Sequence, residues 1–175
     1  MIDDLTIKRI GLLHPVIRDQ VKDLYVNRIS PALTGTHFCR FAYTYRSFDQ
    51  QTELYAQGRT KLFDKEGKRL GIVTQAKAGL SMHNYGIALD IVLVNQKSAT
   101  WDIVKDFDKD GKSDWMEVID IFKAAGWVWG GDWKKFKDYP HVEFPVKFTI
   151  RELLKKWEEG DTFVDPLTNI KYVNL

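Results

Sequence analysis

Apolar side chains recur at three- and four-residue steps between residues 3 and 29, a spacing that places them on one face of a helix. Pro15 falls inside this region and suits the first turn of a second helix, where its missing N–H has no intrahelical partner to lose. Residues 37 to 47, HFCRFAYTYRS, alternate aromatic and polar positions instead. This alternation predicts a strand.

A helix is predicted over residues 48 to 57. Ser47 and Gln50 have the spacing of a capping box, in which each side chain accepts a hydrogen bond from the backbone of the other residue. Gly58 follows where a glycine commonly ends a helix. Arg46 therefore lies where the strand gives way to this helix.

Loops and shorter elements make up the rest of the chain. Residues 61 to 79 are rich in Gly, Lys and Asp, which predicts a loop with one short strand over 70 to 74. Helices are predicted over 115 to 125 and 149 to 159, each followed by a glycine. For the tail from residue 161 onward, the pattern leaves open a final hairpin or a packed strap.

A buried strand is predicted after Gly86, because residues 91 to 94 read IVLV, an apolar and mostly β-branched run. Asp90 then lies in a strand that enters the core, where a carboxylate is costly unless it is paired, hydrogen-bonded or bound to a cation. His83 precedes the strand and can fold back across the turn at Gly86. A cation shared by His83 and Asp90 would account for both residues.

The segment DYPHVEF, residues 138 to 144, supplies a second histidine. Pro140 favours an extended backbone, and the period of a strand puts His141 and Glu143 on one face. Two imidazoles and one carboxylate suit zinc, and three protein ligands leave a fourth position open, as in a catalytic site. Each residue alone is more often a hydrogen-bonding partner in a turn, but the joint pattern favours a metal.

Composition and charge narrow the class of protein. With 175 residues and 44% hydrophobic side chains, the chain can bury one core, and we expect a single domain over residues 1–175. The 26 basic and 24 acidic residues give a formal net charge of +2, which argues against a nucleic-acid partner. Cys39 is the single cysteine, so the chain has no internal disulfide and no thiolate metal cluster.

The N-terminal segment bears on location. Asp3 and Asp4 stand where a secretory signal needs positive charge, and no apolar run reaches the ~18 residues of a membrane span. We therefore expect a cytoplasmic protein that has no membrane partner, and we expect a monomer.

Three blocks of sequence carry a family resemblance. SMHNYGIALD, residues 81 to 90, resembles the Ser-x-His-x-x-Gly-x-Ala-x-Asp motif of a zinc peptidase family. This family includes D-alanyl-D-alanine carboxypeptidases, dipeptidases and the L-alanyl-D-glutamate endopeptidases of bacteria and phages. DYPHVEF resembles the second, histidine-containing motif, and YRSFDQQTELYAQGRT resembles a block of the endopeptidase branch. The resemblance extends from Tyr43 to Phe144.

The resemblance implies an α+β fold of the Hedgehog/D-Ala-D-Ala peptidase-like type, in which a small antiparallel sheet carries the ligands and helices flank it. It also implies that His83, Asp90 and His141 ligate zinc. Asp138, three residues before the last histidine, would be the catalytic base, which moves a proton from water to the leaving amine. Glu143 is the alternative base, because it shares a strand face with His141.

The resemblance further implies that Arg46 binds the substrate carbonyl, where a fixed guanidinium stabilises the growing negative charge. A surface salt bridge is the alternative role for this arginine. Gln51 and Ser81 match family positions near the substrate. Each can equally be a hydrogen-bonding residue of a helix or a turn.

A second cation is predicted from the segment DFDKDGKSDWME, residues 106 to 117, which has the spacing of a calcium-binding loop. The ligands at loop positions 1, 3, 5, 7, 9 and 12 would be Asp106, Asp108, Asp110, the carbonyl of Lys112, Asp114 and Glu117. Position 8 is Ser113, where an apolar residue normally pairs two loops, and the chain has no partner loop. The alternative is an acidic turn that caps the helix starting near Trp115.

The leading hypothesis is therefore a zinc peptidase that acts on peptidoglycan stem peptides and cuts between L-alanine and D-glutamate. Without a signal peptide, such an enzyme resembles a phage endolysin that is held in the cytoplasm until a membrane pore releases it to the cell wall. The alternatives are a D,D-carboxypeptidase or dipeptidase of the same family, and a non-catalytic metal-binding module. The acid at position 138 argues against the module.

Overall fold

The computed structural model describes residues 1–95 and 98–175, which form two compact units. Unit 1 comprises Met1–Tyr45 and Ile87–Pro145, and unit 2 comprises Arg46–Gly86 and Val146–Leu175. The single domain expected over residues 1–175 stays a prediction.

The N-terminal part of unit 1 is helical, as the apolar spacing predicts. Its segments are α1 (Asp4–Ile10), α2 (Pro15–Asp23), a π-helical turn (Leu24–Ile29) and α3 (Ser30–Ala32). Pro15 is the first residue of α2, which confirms the predicted helix start. Asp3 caps α1 by accepting a hydrogen bond from the Thr6 N–H at 3.0 Å, and it also pairs with Arg40 at 2.8 Å. The cap thus ties α1 to the first strand.

One antiparallel sheet forms the centre of unit 1. Its strands are β1 (His37–Tyr43), β2 (Ala88–Asn95), β3 (Ser98–Thr100), β4 (Val128–Trp129) and β5 (His141–Glu143). The order is β1-β2-β5-β4, with β3 paired to β2. Leu89, Ile91 and Leu93 of β2 are completely buried, so the predicted buried strand after Gly86 is confirmed. The predicted strand over 37 to 47 ends earlier, at Tyr43.

Helix α5 (Asp114–Ala124) supplies the other part of the core of unit 1. Its apolar side chains Trp115, Val118 and Phe122 are completely buried. Phe122 lies 6.0 Å from Phe41 of β1 between ring centroids. The small antiparallel sheet with packed helices confirms the predicted α+β class.

Unit 2 contains α4 (Phe48–Ala56), a 3-10 turn (Met82–Tyr85), α6 (Ile150–Glu158) and the antiparallel pair β6 (Thr162–Val164) and β7 (Lys171–Val173). Both α4 and α6 begin with complete capping boxes, as Ser47 and Gln50 predict for α4. The pairing of β6 with β7 decides the tail in favour of the hairpin. Among residues 1–95 and 98–175, no helix has both the length and the apolar character to cross a membrane.

The short strand predicted over residues 70 to 74 is wrong. Its first residue, Leu70, donates from its N–H to Leu62 O at 2.8 Å, and an isolated bridge joins Phe63 to Arg69 just before it, but no strand forms over 70 to 74. The apolar side chains in this stretch are more than half exposed, at 53% for Ile72 and 58% for Val73. β-branched residues favour a strand only where neighbouring strands cover them, and that cover is missing for these two.

Candidate metal centre

Strand pairing brings Asp90 and His141 face to face. In the register of β2 against β5, Asp90 is opposite His141, and the Ile91 N–H donates to Pro140 O at 3.0 Å. His141 Nδ1 and Asp90 Oδ1 lie 3.2 Å apart. His141 is buried and Asp90 is partly buried. The carboxylate that the sequence places in a core strand therefore has a partner.

A tight turn positions His83. The 3-10 turn over Met82–Tyr85 ends at Gly86, whose φ of 69° lies in the left-handed region that glycine adopts without strain. The Gly86 N–H donates to the His83 carbonyl at 3.2 Å, and the His83 side chain is buried. The turn accounts for the glycine of the SMHNYGIALD segment.

The three predicted zinc ligands converge. One ring nitrogen of His83, one ring nitrogen of His141 and one carboxylate oxygen of Asp90 all lie within 4.8 Å of one another. Around a tetrahedral zinc ion with bonds of about 2.0 to 2.2 Å, ligand atoms are about 3.4 Å apart. Small shifts would thus let these three atoms share one ion. Two imidazoles and a carboxylate are also a donor set that zinc accepts.

Glu143 holds the other ring nitrogen of His141. His141 Nε2 lies 3.0 Å from Glu143 Oε2. Burial opposes a charge on the ring, but the hydrogen bonds to Asp90 and Glu143 outweigh burial and raise the pKa of His141 to about 9. Because a ligand imidazole must be neutral, metal binding would displace a proton here. A carboxylate on the second nitrogen of a ligand histidine fixes the orientation of the ring, and Glu143 occupies that place.

The backbone around Asp138 is fixed at both ends of a turn. The Asp138 N–H donates to Gly130 O at 3.1 Å, and the Asp138 carbonyl accepts from the His141 N–H at 3.2 Å. Gly130 permits this close approach, since a Cβ at that position would collide with the Asp138 carbonyl. Trp129 Nε1 adds a hydrogen bond to Tyr139 O at 2.8 Å. Asp138 is thereby held at a set position relative to His141.

Arg46 is held through its backbone and through its side chain. Its N–H donates to His83 O at 3.0 Å, and its carbonyl accepts from Asn84 Nδ2 at 2.9 Å. Its Nη1 donates to Gln51 Oε1 at 2.9 Å, while Gln51 Nε2 donates to Ala76 O at 2.7 Å. Gln51 is completely buried. A buried amide of the same unit therefore orients the guanidinium.

Asn84 is a residue that the sequence reasoning missed. Its side chain is buried, and besides its bond to Arg46 O it accepts from the Gly79 N–H at 3.0 Å. The sequence offered one signal for this role. Asn84 is an amide that directly follows a candidate ligand histidine inside a tight turn. Ser81 precedes the turn, and its carbonyl accepts from the Asn84 N–H at 2.9 Å. That contact belongs to the turn, while the substrate role of Ser81 stays a prediction.

The acidic residues of the segment 106–117 also converge. Carboxylate oxygens of Asp106, Asp108 and Asp114 lie within 4.8 Å of one another, and so do those of Asp108, Asp110 and Glu117. Burial, together with the carboxylates of Asp110, Asp108 and Asp114, raises the pKa of Glu117 to about 7. Negative charges at this spacing repel one another, so the cluster favours a proton or a cation.

The family follows from comparison with known proteins. A family model described as D-alanyl-D-alanine carboxypeptidase matches residues 74–144, which include the three predicted zinc ligands and Asp138. The peptidoglycan L-alanyl-D-glutamate endopeptidase CwlK of Bacillus subtilis (strain 168) is 44% identical over 135 residues, which covers 75% of this chain and 72% of that protein. The chain belongs to the peptidase family that includes D-alanyl-D-alanine carboxypeptidases and this L-alanyl-D-glutamate endopeptidase. The resemblance read from the sequence motifs is thereby confirmed.

Two further proteins are similar to this peptidase over parts of their length. The L-alanyl-D-glutamate peptidase of Listeria phage A118 is 37% identical over 103 residues, which covers 54% of this chain and 34% of the phage protein. The crystal structure of the L-Ala D-Glu endopeptidase ChiX of Serratia marcescens aligns with a TM-score of 0.49 and 19% identity, over 81% of this chain and 86% of that chain. The match to the Bacillus protein is the one that decides the family.

Proposed function

We propose that this peptidase is a zinc-dependent peptidoglycan endopeptidase that hydrolyses the bond between L-alanine and D-glutamate in stem peptides. The observation that carries the proposal is the convergence of His83, Asp90 and His141, whose ligand atoms lie within 4.8 Å of one another. The choice of bond is supported by the Bacillus and Listeria phage relatives, whose names specify L-alanyl-D-glutamate.

His83, Asp90 and His141 would hold the zinc ion. When bound, zinc supplies Lewis acidity, which polarises a carbonyl and lowers the pKa of water to about 7. Asp138 takes the proton from water as the new bond to the L-alanyl carbonyl carbon forms. It then gives that proton to the nitrogen of D-glutamate as the C–N bond breaks.

Arg46 stabilises the negative charge that develops on the carbonyl oxygen during attack. A guanidinium does this best when it is already in place, because no free energy is then spent on orienting it. The hydrogen bond from Arg46 Nη1 to the buried Gln51 supplies that orientation. Gln51 acts in this proposal as a positioning residue.

Asp138 is favoured over Glu143 as the base. Glu143 Oε2 lies 3.0 Å from His141 Nε2, a contact that suits orienting the imidazole. An aspartate reaches less far than a glutamate, so its action depends on an accurate backbone position. The hydrogen bonds of Asp138 to Gly130 and His141 supply that position.

Digestion of purified peptidoglycan, followed by mass spectrometry of the products, tests the bond that is cleaved. Fragments with a new N-terminal D-glutamate are expected. Loss of terminal D-alanine would instead establish a D,D-carboxypeptidase. A folded, zinc-loaded protein that releases no product would favour the non-catalytic metal-binding module.

Substitution of the proposed base tests the mechanism. Asp138→Ala is expected to lower kcat about 10²- to 10⁴-fold while zinc stays bound, since general acid–base catalysis contributes a factor of that size. Asp132→Ala is the matched control, because Asp132 is an exposed acid nearby whose carboxylate pairs with Lys123 at 2.7 Å. If Asp138→Ala kept full activity and Glu143→Ala lost it, the two roles would be exchanged.

The monomeric state and the path from cytoplasm to cell wall stay predictions. Light scattering after size exclusion measures the first. Fractionation of expressing cells before and after the membrane is permeabilised measures the second.

For the second cation, we propose calcium at residues 106–117, with no part in the hydrolysis. The predicted ligands are all oxygen atoms, which suit calcium better than zinc. The reaction proposed above uses no residue of this segment.

A further inference from the structure

Residues 106–117 lead into helix α5 in the way that a calcium-binding loop leads into its following helix. Helix α5 begins at Asp114, which is loop position 9, so that Glu117 at position 12 lies in its first turn. Lys109 at position 4 has a φ of 64°, and Gly111 at position 6 has a φ of 100°. This geometry is consistent with the loop but does not by itself point to a ligand.

Two buried carboxylate oxygens of the loop do point to a bound ligand. Asp114 is completely buried, with an exposed fraction of 0%. Its Oδ1 accepts from the Phe107 N–H at 2.9 Å, whereas its Oδ2 has no hydrogen-bond partner among residues 1–95 and 98–175. Oε2 of Glu117 is also buried without a partner in that part of the chain. A buried carboxylate oxygen without a partner costs free energy that a bound cation offsets.

We propose that residues 106–117 form a calcium site that functions as a single loop, closed by its own preceding segment and by residues 34–37 in place of a second loop. This inference rests on the calcium binding proposed above and gives its structural basis. It is independent of the zinc peptidase reaction.

The preceding segment closes the loop through Ser113. Calcium-binding loops usually occur in pairs, joined by short strand pairing at position 8, and Ser113 lacks the apolar side chain of that position. Instead, Ser113 Oγ donates to Ile103 O at 2.7 Å, and the Asp114 N–H donates to Lys105 O at 3.3 Å. These two bonds join the end of the loop to the residues just before it, which is the constraint that a partner loop would provide.

Residues 34–37 anchor the other side of the loop. Asp108 Oδ2 accepts from the Thr34 N–H at 3.0 Å and from Thr34 Oγ1 at 2.8 Å. The ring of Phe107, at loop position 2, stacks on His37 with centroids 3.9 Å apart and planes 22° from parallel. His37 is the first residue of β1. A cation in the loop would therefore stabilise the start of β1 as well as the start of α5.

The ligand set favours calcium over other divalent cations. Asp108 belongs to both groups of converging carboxylates, so the five acids surround one region of the loop. Calcium accepts six to eight oxygen ligands in flexible geometry, whereas magnesium requires a regular octahedron and keeps several waters. Zinc prefers nitrogen or sulfur ligands, which the loop does not offer.

Isothermal titration of the zinc-loaded full chain with calcium chloride, in calcium-free buffer, tests the site. We expect one site per chain with a Kd of about 10⁻⁵ to 10⁻³ M, toward the weak end because no second loop is present. We also expect the unfolding temperature to rise by about 5 to 10 °C at a hundredfold excess of calcium over the Kd. Peptidoglycan cleavage is measured on the same preparation, so that failure of calcium binding is distinguished from failure of the peptidase assignment.

Four variants define the ligands and the anchor. Glu117→Gln is expected to weaken calcium binding at least 30-fold, and Asp110→Asn, at an exposed loop position, repeats the test if the first variant does not fold. Asp120→Asn is the matched control, since it removes the same charge from α5 outside the ligand set, and it should leave the Kd unchanged. Thr34→Val should weaken binding several-fold if residues 34–37 anchor the loop.

Three results would overturn the inference. They are no binding heat from the wild type up to 10 mM calcium, equal affinity for magnesium, or equal losses from Glu117→Gln and Asp120→Asn. An unchanged Kd in Thr34→Val would disprove the anchoring role of residues 34–37.

Discussion

The two metal sites proposed for this peptidase are built in opposite ways. The zinc ligands His83, Asp90 and His141 come from a tight turn and two strands that are far apart in the sequence. The acids of the proposed calcium loop all lie within residues 106–117. The first cluster therefore depends on long-range strand pairing, whereas the second depends on the local backbone and the start of one helix.

Their chemistry differs in a corresponding way. The zinc cluster combines two imidazoles with one carboxylate, so binding competes with protonation of a histidine such as His141. The proposed calcium loop offers five carboxylates and the Lys112 carbonyl, so binding there would depend mainly on charge. If both proposals hold, the comparison teaches that a catalytic ion relies on the tertiary fold to unite distant residues, while a structural ion is bound by one continuous segment. Four substitutions test this contrast.

The largest effect is expected for His141→Ala. Loss of this ligand should reduce zinc to well below one ion per chain and lower activity at least about 10³-fold, because zinc contributes several kcal/mol of transition-state stabilisation. Calcium affinity should change by less than about twofold, because the loop shares no ligand with the zinc cluster. Elemental analysis, peptidoglycan cleavage and calcium titration measure the three quantities.

The converse variant is Glu117→Gln, which should lose calcium and keep its zinc. If removal of either ion's ligand released both ions, the two clusters would be coupled and the contrast between them would be wrong.

An intermediate effect is expected for Gln51→Ala. This change removes the amide that holds Arg46 Nη1 at 2.9 Å and should lower kcat about 10- to 100-fold with zinc retained, by analogy with the loss of groups that orient metal ligands. Thr52→Ala is the control, since Thr52 Oγ1 donates back to Phe48 O at 2.9 Å on the same helix. A fall in stability without a fall in kcat would show that Gln51 is purely structural.

The smallest effect is expected for Ser113→Ala. Ser113 caps α5 and bonds to Ile103 O at 2.7 Å, so its loss should lower the free energy of unfolding by about 1 kcal/mol and weaken calcium binding several-fold. Chemical denaturation with and without calcium measures both. Ser98→Ala, on an exposed position of β3, is the control. An identical loss with and without calcium would mean that Ser113 only caps the helix.

Local patterns predicted most of the fold. The capping box at Ser47, the proline at the start of α2 and the apolar run of β2 each depend on neighbours in the sequence, and each appears where it was expected. The strand predicted over 70 to 74 failed because strand formation depends on covering neighbours, which a short apolar run cannot specify.

The sequence predicted which residues make up the candidate zinc site. It was a poorer guide to how those residues are arranged in space. The spacing of His83 and Asp90 around Gly86 indicated a shared ion, but the register that sets Asp90 opposite His141 comes from the pairing of two distant strands. The hydrogen bonds from Arg46 Nη1 to Gln51 and from Asn84 Nδ2 to Arg46 O involve side chains. They form only after the backbone has folded. Sequence patterns do not encode such contacts directly.

The contact between Gly130 and the Asp138 carbonyl limits how this peptidase can vary. The space that any side chain at position 130 would need is filled by main chain, so alanine is excluded on the same steric ground as larger residues. A saturation library selected for wall lysis should therefore return only glycine at this position. Protein engineers who wish to alter substrate preference should leave Gly130 untouched and diversify the exposed residues of the same turn.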